Sequence, residues 1–129
     1  LSTGYADRFY QKAQQVRTLY IQDFARLFGE YDLLVAPVTP GFALKLGESK
    51  KYPFFGELID RLVEPCSLAG LPGISVPCFV DPETNLSLGL NIMAPAFQES
   101  RMITAAHAFE QATLWNPWRA RQKSQQEQI

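Results

Sequence analysis

The sequence predicts an α/β protein of three strands and three to four helices, and three observations predict it. Apolar residues recur at helical spacing over the first 27 residues. Two runs of strand length, Ile74–Val80 and Ser87–Met93, flank the turn cluster Asp81-Pro82-Glu83-Thr84-Asn85. A short apolar run, Leu33-Leu34-Val35-Ala36, stands just before Pro37 and Pro40. Alternating helices and strands of these lengths form layered α/β architectures.

The elements follow in order. Tyr5, Phe9, Ala13, Val16, Tyr20, Phe24 and Leu27 line one face of a helix over roughly Thr3–Phe28, with Ser2 or Thr3 as cap and Gly29 as stop. Leu33–Ala36 has the length and flanks of a buried strand. Val38–Pro53 shows no period and reads as a long loop, a kind usually functional or mobile. Phe54–Val63 is a second amphipathic helix carrying Phe55, Leu58, Ile59 and Leu62 on one face.

The stretch Pro65–Pro77 organises the chain. Pro65 suits a first helical position, so a separate short helix is expected there, closed by a left-handed Gly70 and stopped by Pro72. Ile74–Val80 then reads as a strand apolar on both sides, which calls for layers on both of its faces. Ser87–Met93 alternates as its hairpin partner should. Ser100–Trp115 is a last helix with Met102, Ala106, Phe109 and Ala112 or Thr113 inward. Residues 1–115 form one structural unit, and the polar stretch 116–129 reads as a disordered tail. A three-stranded sheet alone leaves long unpaired edges, a hint of missing neighbours.

Composition narrows the function classes. The chain of 129 residues is 47% apolar with a formal net charge of −1, which argues for one folded unit and against a nucleic-acid-binding surface. Cys66 and Cys78 are too few for a disulfide framework and read as reduced thiols. Apolar runs of membrane-spanning length and a signal peptide are both missing from the pattern, and Leu1 in place of an initiator Met suggests a piece of something longer.

Little chemistry is legible from residue types alone. His107, among alanines in the last helix, reads as structural, and no Ser-His-Asp or Cys-His arrangement can be assembled around it. The His, Cys and carboxylate spacings predict no metal site, and Gly70–Gly73 is a corner rather than a phosphate loop. Asp60 is the carboxylate to single out, because it stands on the second helix just before the organising stretch. Its bland reading is a solvated residue paired with a nearby Lys or Arg.

Several segments are collinear with a known family. These are Gly4-Tyr5, Lys12–Leu19, Asp23-Phe24, Asp32–Pro37, Leu68–Cys78, Leu88-Gly89-Leu90 and Ala106–Thr113. In that order and spacing they resemble the C-terminal part of amidase signature enzymes, most nearly the A subunits of glutamyl-tRNA(Gln)/aspartyl-tRNA(Asn) amidotransferases. The resemblance implies a large mixed sheet with helices on both faces, of which this chain would be the C-terminal portion. It also implies amide cleavage by a Lys–Ser–Ser triad. In A subunits the amide is glutamine, and the ammonia passes to a partner subunit that uses ATP to amidate misacylated tRNA. None of Ser2, Ser49, Ser67, Ser75, Ser87, Ser100 or Ser124 stands in the triad motif, so no catalytic residue is carried over and the chain alone is expected to be inactive.

One site residue is implied. Asp60, eight residues before Leu68, matches an aspartate that clamps the α-amino group of the substrate. The sequence departs from the family pattern at Glu64, Cys66 and Ser67, at Ala94-Pro95, and at Phe79. The resemblance further implies no cofactor bound by this chain, with ATP used by the partner subunit. Expected partners are the rest of an amidase domain, the other amidotransferase subunits and glutamine, with no direct nucleic-acid contact and no membrane. The expected location is the cytoplasm or an organellar matrix. A stand-alone amidase and a non-catalytic split subunit that binds a partner are the alternatives.

Overall fold

The computed structural model describes residues 3–113. Its order of elements is α1 (Thr3–Phe28), β1 (Leu34–Pro37), a 3₁₀ turn (Glu48–Lys51), α2 (Phe55–Ala69), β2 (Gly73–Val80), β3 (Ser87–Met93) and α3 (Glu99–Ala112). The three strands and three α-helices expected from the sequence are present. The expected tail at 116–129, the Ser2 cap and the end of the last helix at Trp115 lie outside the described residues.

The sheet order is β1-β3-β2, and both pairings are antiparallel. This corrects one expectation. The sequence pattern makes Ile74–Val80 an interior strand with cover on both faces, yet β2 is an edge strand and β3 is the centre. Burial along β2 alternates, Phe79 being 47% exposed, whereas Asn91, Ile92, Met93 and Ala94 are all buried in succession. The two-sided apolar signal therefore belongs to the last half of β3. β1 is likewise an edge, with Val35 63% exposed rather than buried.

The two sheet faces differ. On one, Val76, Ile92 and Ala94 pack with Met102 and Ala106 of α3, and Leu33, Ile74, Leu90 and Phe109 close the cluster. That matches the inward face expected for the last helix. The other face carries Gly73, Ser75, Gly89 and Asn91, and α2 meets it through Cys66, whose Sγ would lie 3.4 Å from a Cβ on Gly73.

A second correction concerns Pro65. Instead of starting a separate short helix, it lies inside one continuous α2. The ring removes one N–H and crowds the carbonyl one turn earlier, a cost of roughly 3 kcal/mol in a helix interior. Burial of an unbroken stripe at Phe55, Ile59, Leu62, Cys66 and Ala69, spaced 4, 3, 4 and 3, holds the helix together across it. The C-terminus ends as expected: Gly70 is left-handed at φ 72°, with Gly70 N–H donating to Ser67 O and Leu71 N–H to Cys66 O, each at 3.1 Å.

α1 matches its expected bounds and packs against α2, where Arg17 Nε donates to Leu68 O at 2.8 Å. Its apolar face is covered only toward the C-terminal half. Tyr20, Phe24 and Leu27 are half-buried, while Phe9 and Val16 are 58% and 45% exposed.

Candidate functional site

Asp60 lies in the second turn of α2. The apolar stripe of that helix runs from Phe55 to Ala69, and Asp60 falls more than a quarter-turn away from it, on the side shared with Glu64 and Ser67. The residue is exposed, and among the described residues no cation or hydrogen-bond donor pairs with its carboxylate. The bland reading, a surface ion pair, is thus not formed here. Loss of this side chain would open no cavity in the described core.

A cleft lies along the apolar stripe of α2, and Asp60 is not among the residues that line it. Ile59 and Phe55 form one wall of a space of about 390 Å³, and the loop residues Thr39, Gly41, Ala43 and Leu44 with Ser87 complete it. The loop is held in shape by Thr39 Oγ1 donating to Gly41 O at 2.8 Å and by the Phe42–Phe79 ring contact, with centroids 6.2 Å apart. Part of the expected structureless loop is thereby ordered against α2 and the sheet. A smaller apolar recess at the N-terminal end of α2 is lined by Tyr52, Pro53, Phe54 and Leu58.

His107 is exposed on α3, its Nε2 lying 3.4 Å from Gln111 Nε2. It is a surface residue, not a core one. Among the described residues no serine hydroxyl is hydrogen-bonded to a lysine or to this histidine, and no three His, Cys, Asp or Glu side chains gather as a metal site would require. Cys66 is buried and Cys78 half-buried, both as free thiols. Burial pushes the Cys66 thiol pKa up, which lowers its thiolate fraction.

Asp81 has the other perturbed ionisation. Its carboxylate accepts from the Thr84 hydroxyl, from Thr84 N–H at 3.2 Å and from Glu83 N–H at 3.4 Å. The Thr84 hydroxyl above all holds this carboxyl below the usual range, against an opposing desolvation and with help from the two backbone donors. These bonds shape the β2–β3 turn, in which Asn85 takes φ 57°. The role is structural.

Sequence reasoning passed over three residues on the sheet face that α2 meets through Cys66. Asn91 is 7% exposed and is the buried polar side chain of the described core. Gly73 and Gly89 stand where a Cβ would meet Asn91 Oδ1 at 3.3 Å and Ser75 Oγ at 2.9 Å, respectively. The available signals were a lone Asn in the apolar run Leu90–Met93 and glycines within strands, which mark close approach.

The comparisons with known proteins bear on the chain as a whole. The A subunit of glutamyl-tRNA(Gln) amidotransferase from Geobacillus sp. (strain WCH70) is 51% identical over 114 residues, covering 88% of this chain and 23% of that protein. The same-named protein from Synechococcus sp. (strain RCC307) is 50% identical over 112 residues, covering 87% and 23%. The Brevibacillus brevis counterpart is 50% identical over 111 residues, covering 86% and 22%. The chain thus spans under a quarter of the length of these curated relatives. The family model described as Amidase matches residues 1–103, and the chain belongs to the amidase family.

Proposed function

We propose that this chain serves as the C-terminal portion of the A subunit of a glutamine-hydrolysing amidotransferase. There it supplies sheet, helical cover and one wall of the substrate site, and the nucleophile and its base come from elsewhere in the protein. The released ammonia would pass to a partner subunit for ATP-dependent amidation of misacylated tRNA. The observation that carries this reading is identity near 50% across almost nine-tenths of the chain to proteins that bear that name. In this reading residues 1–115 work as part of the amidase domain, no cofactor is bound by the chain, and the setting is cytoplasmic or an organellar matrix.

Asp60 has the chemistry that the role needs. It is an exposed carboxylate with no cation beside it among the described residues, so an incoming ammonium would be its first partner. A carboxylate paired with the α-ammonium of glutamine discriminates an amino-acid amide from a bare amide, because the unpaired charge is costly once the site closes.

The test replaces the matching quarter of the Geobacillus protein with this chain and assays glutamine hydrolysis with and without Asp60→Asn. Losing one partner of a desolvated charge pair costs on the order of 2–5 kcal/mol. The expected result is a KM for glutamine raised by at least about thirtyfold, with little change toward an amide lacking the α-amino group and an unchanged melting temperature. Equal damage to both substrates, or a sharp fall in melting temperature, would make Asp60 a structural residue.

A further inference from the structure

Asn91 and Ser75 face one another across β3 and β2 on the sheet face that α2 meets through Cys66, Asn91 buried and Ser75 exposed. Val38 N–H donates to Gly89 O and Ala94 N–H to Pro72 O. By the alternation of an antiparallel ladder these bonds make Ser75 and Asn91 a non-hydrogen-bonded pair, the kind whose side chains come closest. Yet they lean apart. Ser75 Oγ lies over Gly89, 2.9 Å from where a Cβ would stand, and Asn91 Oδ1 lies over Gly73, 3.3 Å from the equivalent point. Among the described residues neither the hydroxyl nor the carboxamide makes a side-chain hydrogen bond, although Asn91 is more than nine-tenths buried.

Two polar side chains directly opposite each other can bond across a sheet. Here both recline on glycines instead, the Ser75 hydroxyl exposed and the Asn91 carboxamide buried. The pair carries no formal charge, so ions gain nothing from it. Each group offers both a donor and an acceptor, the complement of an N–H beside a C=O.

We propose that the Asn91 carboxamide and the Ser75 hydroxyl together bind a neutral amide group. The proposal rests on the reading of the chain as part of a longer amidase, and two sources share the chemistry: the peptide backbone of a segment outside this 129-residue chain, or the carboxamide of the substrate. In either case Asn91 is a buried polar group whose partner comes from beyond this chain.

The experiment compares Asn91→Leu, of similar volume without the polar atoms, in the 129-residue chain and in the chimeric enzyme described above. In the chain alone the variant removes an unpaired buried carboxamide, so the melting temperature rises by about 3–6 °C. In the chimera the sign reverses. A lowered melting temperature with an unchanged KM identifies a backbone source, and a KM for glutamine raised about tenfold or more at unchanged stability identifies the substrate. Destabilisation of the chain alone overturns the proposal, because Asn91 would then be satisfied without the amide. Stabilisation in both contexts with an unchanged KM overturns it too. A chimera that folds but hydrolyses no glutamine would sink the functional reading, and the stability comparison would still decide the amide site.

Discussion

Gly89→Ala should destabilise the chain, and the structure says why and by how much. Gly89 does not need a left-handed backbone, so alanine meets no conformational bar. The added Cβ would lie 2.9 Å from Ser75 Oγ, 3.0 Å from Val38 Cγ2 and 3.3 Å from Val38 Cβ. Carbon contacts are comfortable at about 3.5–4.0 Å, so the methyl overlaps two neighbours by roughly half an ångström each. The serine can rotate away. Val38 cannot, because its branched Cβ is itself too close and its χ1 is stiff. Overpacking of this kind costs about 1–3 kcal/mol. The lost glycine entropy offsets about 0.5–1 kcal/mol, leaving a net loss of up to about 2.5 kcal/mol. Urea unfolding followed by far-UV circular dichroism measures it, with Gly56→Ala as control. A Cβ on Gly56 meets nothing within 4 Å inside α2, so that change should stabilise by up to about 1 kcal/mol. Adding Val38→Ala to Gly89→Ala should recover more than its own single cost predicts, a coupling of at least about 0.5 kcal/mol. A Gly89→Ala variant as stable as Gly56→Ala, or one uncoupled from Val38, would refute the β1–β3 packing described here.

The remaining predictions concern the turn, the thiols and the surface. Because the Asp81 pKa is lowered in the folded chain, its contribution is present above the usual carboxylate range and is lost as pH falls through the depressed value. Asp81→Asn should therefore lower the urea midpoint at pH 7 and flatten its fall between pH 5 and 2, and an unchanged acid limb would contradict this. At pH 8 iodoacetamide should alkylate Cys78 well before Cys66, whose thiol is buried with a raised pKa; equal rates by mass spectrometry would mean that Cys66 is not buried against the sheet. With Leu46, Phe97, Leu19 and Phe79 all substantially exposed, the isolated chain should associate as concentration rises, and light scattering that reports a monomer at every concentration would count against it.

Local signals in the sequence were the dependable ones. The seven-residue apolar spine and Gly29 located α1 because its period runs unbroken for over six turns. Gly70 announced its own left-handed cap, and Asp81–Asn85 announced the hairpin. What failed was information that the local sequence does not carry. Pro65 reads as a helix start by propensity, but burial of the stripe from Phe55 to Ala69 outweighs the lost bond. Ile74–Val80 looks central because it is apolar throughout, yet which strand lies in the middle depends on where β1 docks, some forty residues earlier. Asp60 was marked by family resemblance alone, since an exposed carboxylate in the second turn of a helix carries no local signal of a substrate role. Asn91 was overlooked because one amide in an apolar run carries no period at all.

The two edge prolines follow from the same ladder that fixes β3 at the centre. β3 bonds to β2 through Leu90, Ile92 and Ala94 and to β1 through Gly89, Asn91 and Met93, since the registers and the two flanking bonds set the alternation. On β2 the outward-facing positions are then Gly73, Ser75 and Pro77, and on β1 they are Val35 and Pro37. Each proline thus occupies a place where its missing N–H subtracts nothing from the ladder and removes a free donor from the edge. The register shift between Pro77 and Phe79 turns β2 away just beyond that point. What remains for another strand is unequal. β2 offers the successive donors Gly73 and Ser75, whereas β1 offers Val35 alone before Pro37. Any extension of this sheet therefore has its longer foothold along the first half of β2, immediately beside Ser75 and Asn91.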